Sequence, residues 1–290
     1  MSRNKIAVIG GDLRSIKLAE LLRDQRRDIS IFGFKKYDFK MNIKESDSID
    51  EVIKNSDIIV GPFPCSNDNE TINAPYHVEK IYLKDIFSKM KKNQLFIAGR
   101  LDKEICDMAK NNHVNCIDLL LREEMAVLNA IPTAEGAIQI AMEEMPITLH
   151  ASNAMILGYG RIGKILAKIL DGIGANVYVE ARKCSDLAWI RSYGYTPVPL
   201  NELNEKLNTA DVVFNTIPHI ILDDIALQKI SKDCLIIDLA SKPGGVDFEK
   251  AKELGLKVIW ALSLPGKVAP VTAAKFIRDT INNIVDEMGG

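Results

Sequence analysis

No stretch of this chain is apolar for long enough to cross a bilayer. No leader is expected before the first apolar run either, because MSRNKIAVIGG passes straight into a strand. The expectation is a soluble, cytoplasmic protein without a membrane partner. Cysteine is sparse and unpatterned. Cys65, Cys106, Cys116, Cys184 and Cys234 contain no C-x-x-C pair, and an odd count with irregular spacing fits free thiols in a reducing compartment. The histidines (His77, His113, His150 and His219) lack metal-ligand spacing, so no metal is expected. An excess of either charge is missing too: Lys+Arg total 37 against 39 Asp+Glu, a formal net charge of −2, which excludes a general nucleic-acid binder. What remains is an ordinary globular composition, 47% hydrophobic and 26% charged, in 290 residues, enough for two domains that each bury a core.

The stretch that organises the chain is Asn153 to Lys164, NAMILGYGRIGK. Ala154–Leu157 reads as a buried strand that breaks at Gly158, and a helical pattern, Ile162–Leu170, follows Arg161. Gly158, Gly160 and Gly163 form G-x-G-x-x-G at the junction. The first glycine permits the tight turn, the second lets backbone approach a pyrophosphate, and the third lets the helix pack on its strand. A second strand, Asn176–Val179, closes a β-α-β unit of about 30 residues, the context that this fingerprint requires. Gly158, Tyr159, Gly160, Arg161, Ile162 and Gly163 are therefore the expected dinucleotide contacts.

The end of that second strand distinguishes NAD from NADP. This strand end resembles the D-2-hydroxyacid dehydrogenase pattern, and matched to it the acidic position that would hold a ribose 2′-hydroxyl falls on Ala181; Arg182, Lys183 and Ser185 follow at once, which suits a 2′-phosphate. Glu180 keeps NAD open as the alternative, although one residue along a strand turns a side chain to the opposite face.

Elsewhere strands and helices alternate. Strands are expected at Lys5–Ile9, Ile29–Phe32, Asp57–Val60, Leu95–Ala98 and Asn115–Asp118, with helices over Ser15–Asp24, Lys84–Lys91 and Lys103–Asn111. After the fingerprint come a strand over Asp211–Pro218 that ends in a sharp turn, and strands at Cys234–Asp238 and Lys257–Trp260. The pattern predicts an α/β protein of two Rossmann-like, doubly wound domains with parallel sheets. The first covers residues 1–128, joined by a C-terminal helix, 272–290. The second covers 129–271 and includes a linking helix, Ala134–Met145, capped by Thr133.

Gly10-Gly11 resembles a nucleotide turn but lacks the full fingerprint, so a scaffold without nucleotide is expected there. Arg14, beside it, is either an anion ligand or a helix-end arginine. Ser66 and Asn67 lie in a strand-end loop suited to substrate or to a plain surface turn. Thr133 and Glu135 are expected at a cleft between the domains. Asn215, Thr216, Ile217 and Pro218, with Asp238 and Leu239, are expected near the cofactor ribose and nicotinamide. Lys242 and Lys267 sit in strand-end loops, able to attract a carboxylate or move a proton.

TAEGAI (Thr133–Ile138), GYGRIGK, FNTIP (Phe214–Pro218), DLASKPGGVDF (Asp238–Phe248) and ALSLPGKVAP (Ala261–Pro270) together resemble the dipicolinate synthase A-subunit family. IGGDLR (Ile9–Arg14) and REEMAVLNAIP (Arg122–Pro132) resemble the N-terminal half of the same family. The chain departs at His219, after the NTIP turn, and over Asn69–His77. The resemblance implies NAD(P)-dependent oxidation of dihydrodipicolinate to pyridine-2,6-dicarboxylate during endospore formation, in the mother-cell cytoplasm. It also implies a partner, the flavoprotein-like B subunit of dipicolinate synthase, with any flavin lying on that partner. A small dianionic substrate makes Arg14, Arg122, Lys242 and Lys267 candidate carboxylate partners, with Ser66 and Thr133 nearby and Lys242, Glu135 or Lys267 as catalytic groups. A shikimate-dehydrogenase-like or D-2-hydroxyacid-type NADP reductase is the alternative, as is a non-catalytic NADP-binding role within the synthase. Homo-oligomerisation is expected by analogy alone.

Overall fold

The computed structural model describes residues 5–25, 28–39, 43 and 45–289. The chain divides into two compact units, Met1–Leu128 with Ala269–Gly290, and Asn129–Val268. Each is built on one parallel sheet covered on both faces.

The first sheet contains β1 (Lys5–Ile9), β2 (Asp28–Phe32), β3 (Ile58–Val60), β4 (Leu95–Ala98) and β5 (Asn115–Asp118), in the order β2-β1-β3-β4-β5. β3 and β4 are buried along their whole length, as short Ile/Val/Phe runs must be when both faces are covered, while β5 at the edge is half-exposed. On one face lie the helices Leu13–Asp24 and Pro270–Gly289, the latter through Ala274, Ile277, Ile281 and Ile284. Phe87, Phe96, Ile86 and Ile105 fill the other.

The second sheet contains β6 (Asn153–Leu157), β7 (Asn176–Ala181), β8 (Thr196–Pro199), β9 (Val212–Asn215), β10 (Leu235–Asp238) and β11 (Lys257–Trp260), in the order β11-β10-β9-β6-β7-β8. Ile156, Val179 and Phe214 face one layer, which includes the helix Arg161–Ile173; Met155, Leu157, Val198, Val213 and Ile236 face the other. β8 is not among the strands expected from the sequence. Its four residues are Thr-Pro-Val-Pro, and two prolines argue against a strand. They are tolerated because β8 is an edge, where only one ladder of backbone donors is needed.

The linking helix departs from expectation. It runs Glu123–Glu144, with Pro132 inside it, so Thr133 is not its cap. Pro132 removes one backbone donor, but the strong helix formers from Glu123 to Leu128 carry the helix through it. The Thr133 hydroxyl instead donates to Asn129 O, one turn back, at 2.8 Å. Ala261–Pro270, expected as a loop, contains a short helix, Leu264–Val268, with Pro265 at its second position.

Candidate cofactor site

In the second unit the chain leaves β6 towards β7 on one side and later returns to β9 on the other. Open parallel sheets bind ligands in the crevice beyond such a switch point. Its walls are the turn after β6 and the turn after β9, joined where Thr216 Oγ1 donates to Leu157 O at 2.8 Å.

Each fingerprint glycine has its own reason. Gly158 takes φ +94°, and a Cβ there would lie 2.7 Å from Thr216 Oγ1. A Cβ on Gly163 would collide with the Gly158 carbonyl oxygen, so glycine is what lets the helix Arg161–Ile173 come so close. Gly160 differs, because a Cβ there meets nothing within 4 Å. Gly160 is the N-cap and has no side chain with which to cap the helix, and the first turn holds no acidic residue. The first N–H groups of a helix find no partner within the helix, and with the positive end of its dipole they suit a pyrophosphate at this turn. Tyr159 is largely buried beside this turn, with the Lys164 ammonium 5.3 Å from its ring centroid, and Ile162 packs on the core. Arg161 is exposed on the first turn.

At the end of β7, Ala181 joins the core face of Val177 and Val179, and Glu180 turns to the other side, 1% exposed. Its Oε1 has no hydrogen-bond partner. Burial pushes the Glu180 carboxyl up from the ordinary glutamate value, offset only in part by the Gly158 N–H and the charge of Arg182. Arg182, Lys183 and Ser185 are exposed.

Asn215 and Asp238, at the ends of β9 and β10, are fully buried. Asn215 Nδ2 donates to Asp238 Oδ1 (2.8 Å) and to Ile217 O (3.0 Å), while Asn215 Oδ1 accepts from Ile217 N (3.1 Å). Asp238 Oδ1 also accepts from Ala240 N (3.0 Å), and Oδ2 accepts from Gly245 N (2.9 Å). Trp260 Nε1 donates to Ala240 O at 2.9 Å. The side chains of Asn215, Asp238 and Leu239 are therefore turned into the protein, whereas Thr216 and Ile217 are half-buried and Pro218 is exposed. Nothing in the sequence announces that this carboxylate is buried, since an aspartate that ends an apolar strand reads as a ligand.

Lys242 lies at the tip of an exposed turn closed by Gly244 N donating to Ser241 O at 2.8 Å. Lys267 and Glu135 are also exposed. They sit on two helices that touch, because a Cβ on Gly136 would lie 3.1 Å from Leu264 Cβ.

In the first unit the candidates are already engaged. Arg14 is buried, donating through Nε and Nη2 to the Asp12 carboxylate and through Nη2 to Phe63 O. The Ser66 hydroxyl donates to Asp68 Oδ1 and accepts from the N–H groups of Asp68 and Asn69. Thr71 and Glu70 N–H groups hold the Asp68 carboxyl well below its ordinary value. Asn67 is exposed. Arg122 forms a two-pronged pair with Glu287 (2.6 and 2.8 Å) and reaches Glu124. The turn at Gly10 is covered by the chain itself, since a Cβ there would lie 2.9 Å from Ile72 Cδ1 and 3.1 Å from Ala74 Cβ.

Residues 5–120 match the family model for the N-terminal domain of the dipicolinate synthase A-subunit, and residues 126–243 that of the D-isomer specific 2-hydroxyacid dehydrogenase, NAD binding domain. The dipicolinate synthase A-subunit of Bacillus subtilis (strain 168) is 33% identical over 286 residues, 98% of this chain and 96% of its own length. The crystal structure of its counterpart from Bacillus halodurans has a TM-score of 0.91 at 31% identity, over 98% of each chain. A transhydrogenase from Sinorhizobium meliloti, with a TM-score of 0.71 at 14% identity over 98% of this chain and 94% of that one, shares the fold alone. The second unit is a nicotinamide-cofactor domain and the chain an oxidoreductase. A likeness that runs through both units at this identity leaves one assignment: the chain belongs to the dipicolinate synthase A-subunit family.

Proposed function

We propose that this chain oxidises dihydrodipicolinate to dipicolinate with NADP, in a sporulating cell and together with a flavoprotein-like B subunit. The observation that carries the reading is an open, uncapped glycine turn kept intact in a chain that follows its family from end to end. The exposed Arg182, Lys183 and Ser185 support NADP, since the acid that could compete for a ribose hydroxyl is buried on the other strand face. NAD remains the alternative that a direct comparison of the two cofactors decides.

Removing two hydrogens from the substrate ring sends a hydride to the nicotinamide and a proton to the protein. Ring aromatisation favours the step, so positioning and charge compensation are what the chain must supply. Lys242 and Lys267 carry the unshielded positive charge suited to the carboxylates. Arg122 is spent on Glu287 and Glu124, and Arg14 on Asp12 and Phe63 O, which favours the lysines. The proton acceptor in this reading is Glu135, or else Lys242 as the uncharged amine, which then leaves the carboxylates to Lys267; both are exposed to incoming substrate.

The test is absorbance at 340 nm with the purified chain, NADP and freshly made dihydrodipicolinate, with and without the B subunit. NADPH formation by the chain alone makes it the dehydrogenase, and formation only with B gives it a shared or supporting role. Silence in both, with cofactor bound, defeats the reading and favours a reductase of another substrate.

A further inference from the structure

We propose that Asp238 is a positioning residue, holding from beneath the two turns that flank the nicotinamide end of the site without itself touching cofactor or substrate. The proposal rests on the reading of this unit as a nicotinamide-cofactor site.

The carboxylate is fully buried and accepts from donors on both turns. Through Asn215 it fixes the backbone N–H and C=O of Ile217, and so the turn after β9. Through the N–H groups of Ala240 and Gly245 it holds both ends of the turn that carries Lys242. A carboxylate accepts at both oxygens, whereas an amide must place an N–H against one of these donors. The packing leaves no slack: a Cβ on Gly245 would collide with Asn215 Nδ2, and one on Gly244 (φ +89°) would lie 2.9 Å from Asp238 Oδ2. A buried carboxylate is costly unless its hydrogen bonds are made, and here they tie together backbone that no apolar side chain could orient. The tie reaches the cofactor turn, because Ile217 Cγ1 would be 2.9 Å from a Cβ on Gly158. Trp260 holds the same arm from the other side, through Nε1 to Ala240 O.

The experiment uses the full chain as wild type, Asp238→Asn and Trp260→Phe. NADPH and NADH binding is read by cofactor fluorescence. Binding of ADP-ribose and its 2′-phosphate, which lack the nicotinamide, is read by calorimetry. We expect Asp238→Asn to bind the preferred whole cofactor about tenfold more weakly while holding the fragment as wild type does. Trp260→Phe should move the same way by less. A role in stability alone would weaken whole cofactor and fragment in parallel. That parallel loss, or no loss, overturns the proposal. If Asp238→Asn does not fold, the same split in Trp260→Phe decides. A wild-type chain that binds no cofactor and neither fragment defeats the site reading itself, and this proposal with it.

Discussion

Two strand-turn-helix junctions begin the two units, Ile9–Arg14 and Leu157–Gly163, and they differ in what stands over the helix end. In the first, Asp12 caps the helix Leu13–Asp24 through its carboxylate, Arg14 clamps that carboxylate, and the segment around Ile72–Ala74 lies over Gly10. The segment is itself pinned, with Ile72 N donating to Ile81 O at 2.9 Å and Asn73 N to Cys65 O at 2.8 Å. In the second, the N-cap is a glycine with no side chain to offer the helix amides, and a Cβ on Gly160 would meet nothing within 4 Å. Glycine lets a chain turn tightly in both places. An anion site needs something further, which is that the amides stay unspent and the approach stays open.

The largest effect should come from exchanging those two conditions. Gly160→Val is conformationally easy, since the φ of −85° suits any residue, and its side chain projects only into the open space. We expect NADPH affinity to fall by about 100-fold or more, roughly 3 kcal/mol, with the melting temperature unchanged. Gly10→Ala should do the reverse. With φ at +62° and Ile72 in the way, it should cost about 2 kcal/mol of stability and leave NADPH affinity alone. Fluorescence titration beside a thermal melt reads both variants. If Gly160→Val binds NADPH normally, the pyrophosphate does not sit on this helix.

The same contrast marks how far the sequence is legible. The fingerprint can be read because each glycine answers a local demand of the turn, and the strands because short Ile/Val-rich runs buried on both faces leave an unmistakable pattern. Gly10-Gly11 can be read as incomplete, but not as covered, because the covering residues arrive some sixty positions later from another loop. Arg14 looks like a free cation for the same reason: its partner Phe63 O is a backbone atom of a distant turn. A local rule cuts the helix Glu123–Glu144 short at Pro132, and its neighbours outweigh that rule. Asp238 reads as a ligand because a sequence shows that a carboxylate ends a strand but not which way it points.

The next effect separates the two edges of the open junction. Replacing both Arg182 and Lys183 by alanine should lower the preference for NADPH over NADH about tenfold, mostly through weaker NADPH binding. Exposed cations on a phosphate supply charge-assisted but solvent-screened bonds. A preference that stays where it was would mean that the 2′-phosphate, if it is bound, is held elsewhere.

The smallest effect compares the acidic residue beside each junction. Asp12 is partly exposed and paired with Arg14, whereas Glu180 is buried with Oε1 unpartnered. Burial raises the Glu180 value in the folded chain above its unfolded one. The stability linked to its proton is therefore complete below the ordinary glutamate range of about 4.3, and it is lost as pH rises through the raised folded value. Glu180→Gln cannot ionise and escapes that loss. Against wild type it should gain about 1 kcal/mol at pH 8, a few degrees in melting temperature, and the gain should close as pH falls towards 4. Because other carboxylates titrate alike in both proteins, the difference between the two melting curves isolates this one group. A difference that stays constant across pH would mean that burial does not hold the proton on Glu180, and the two junctions would then differ only in what covers them.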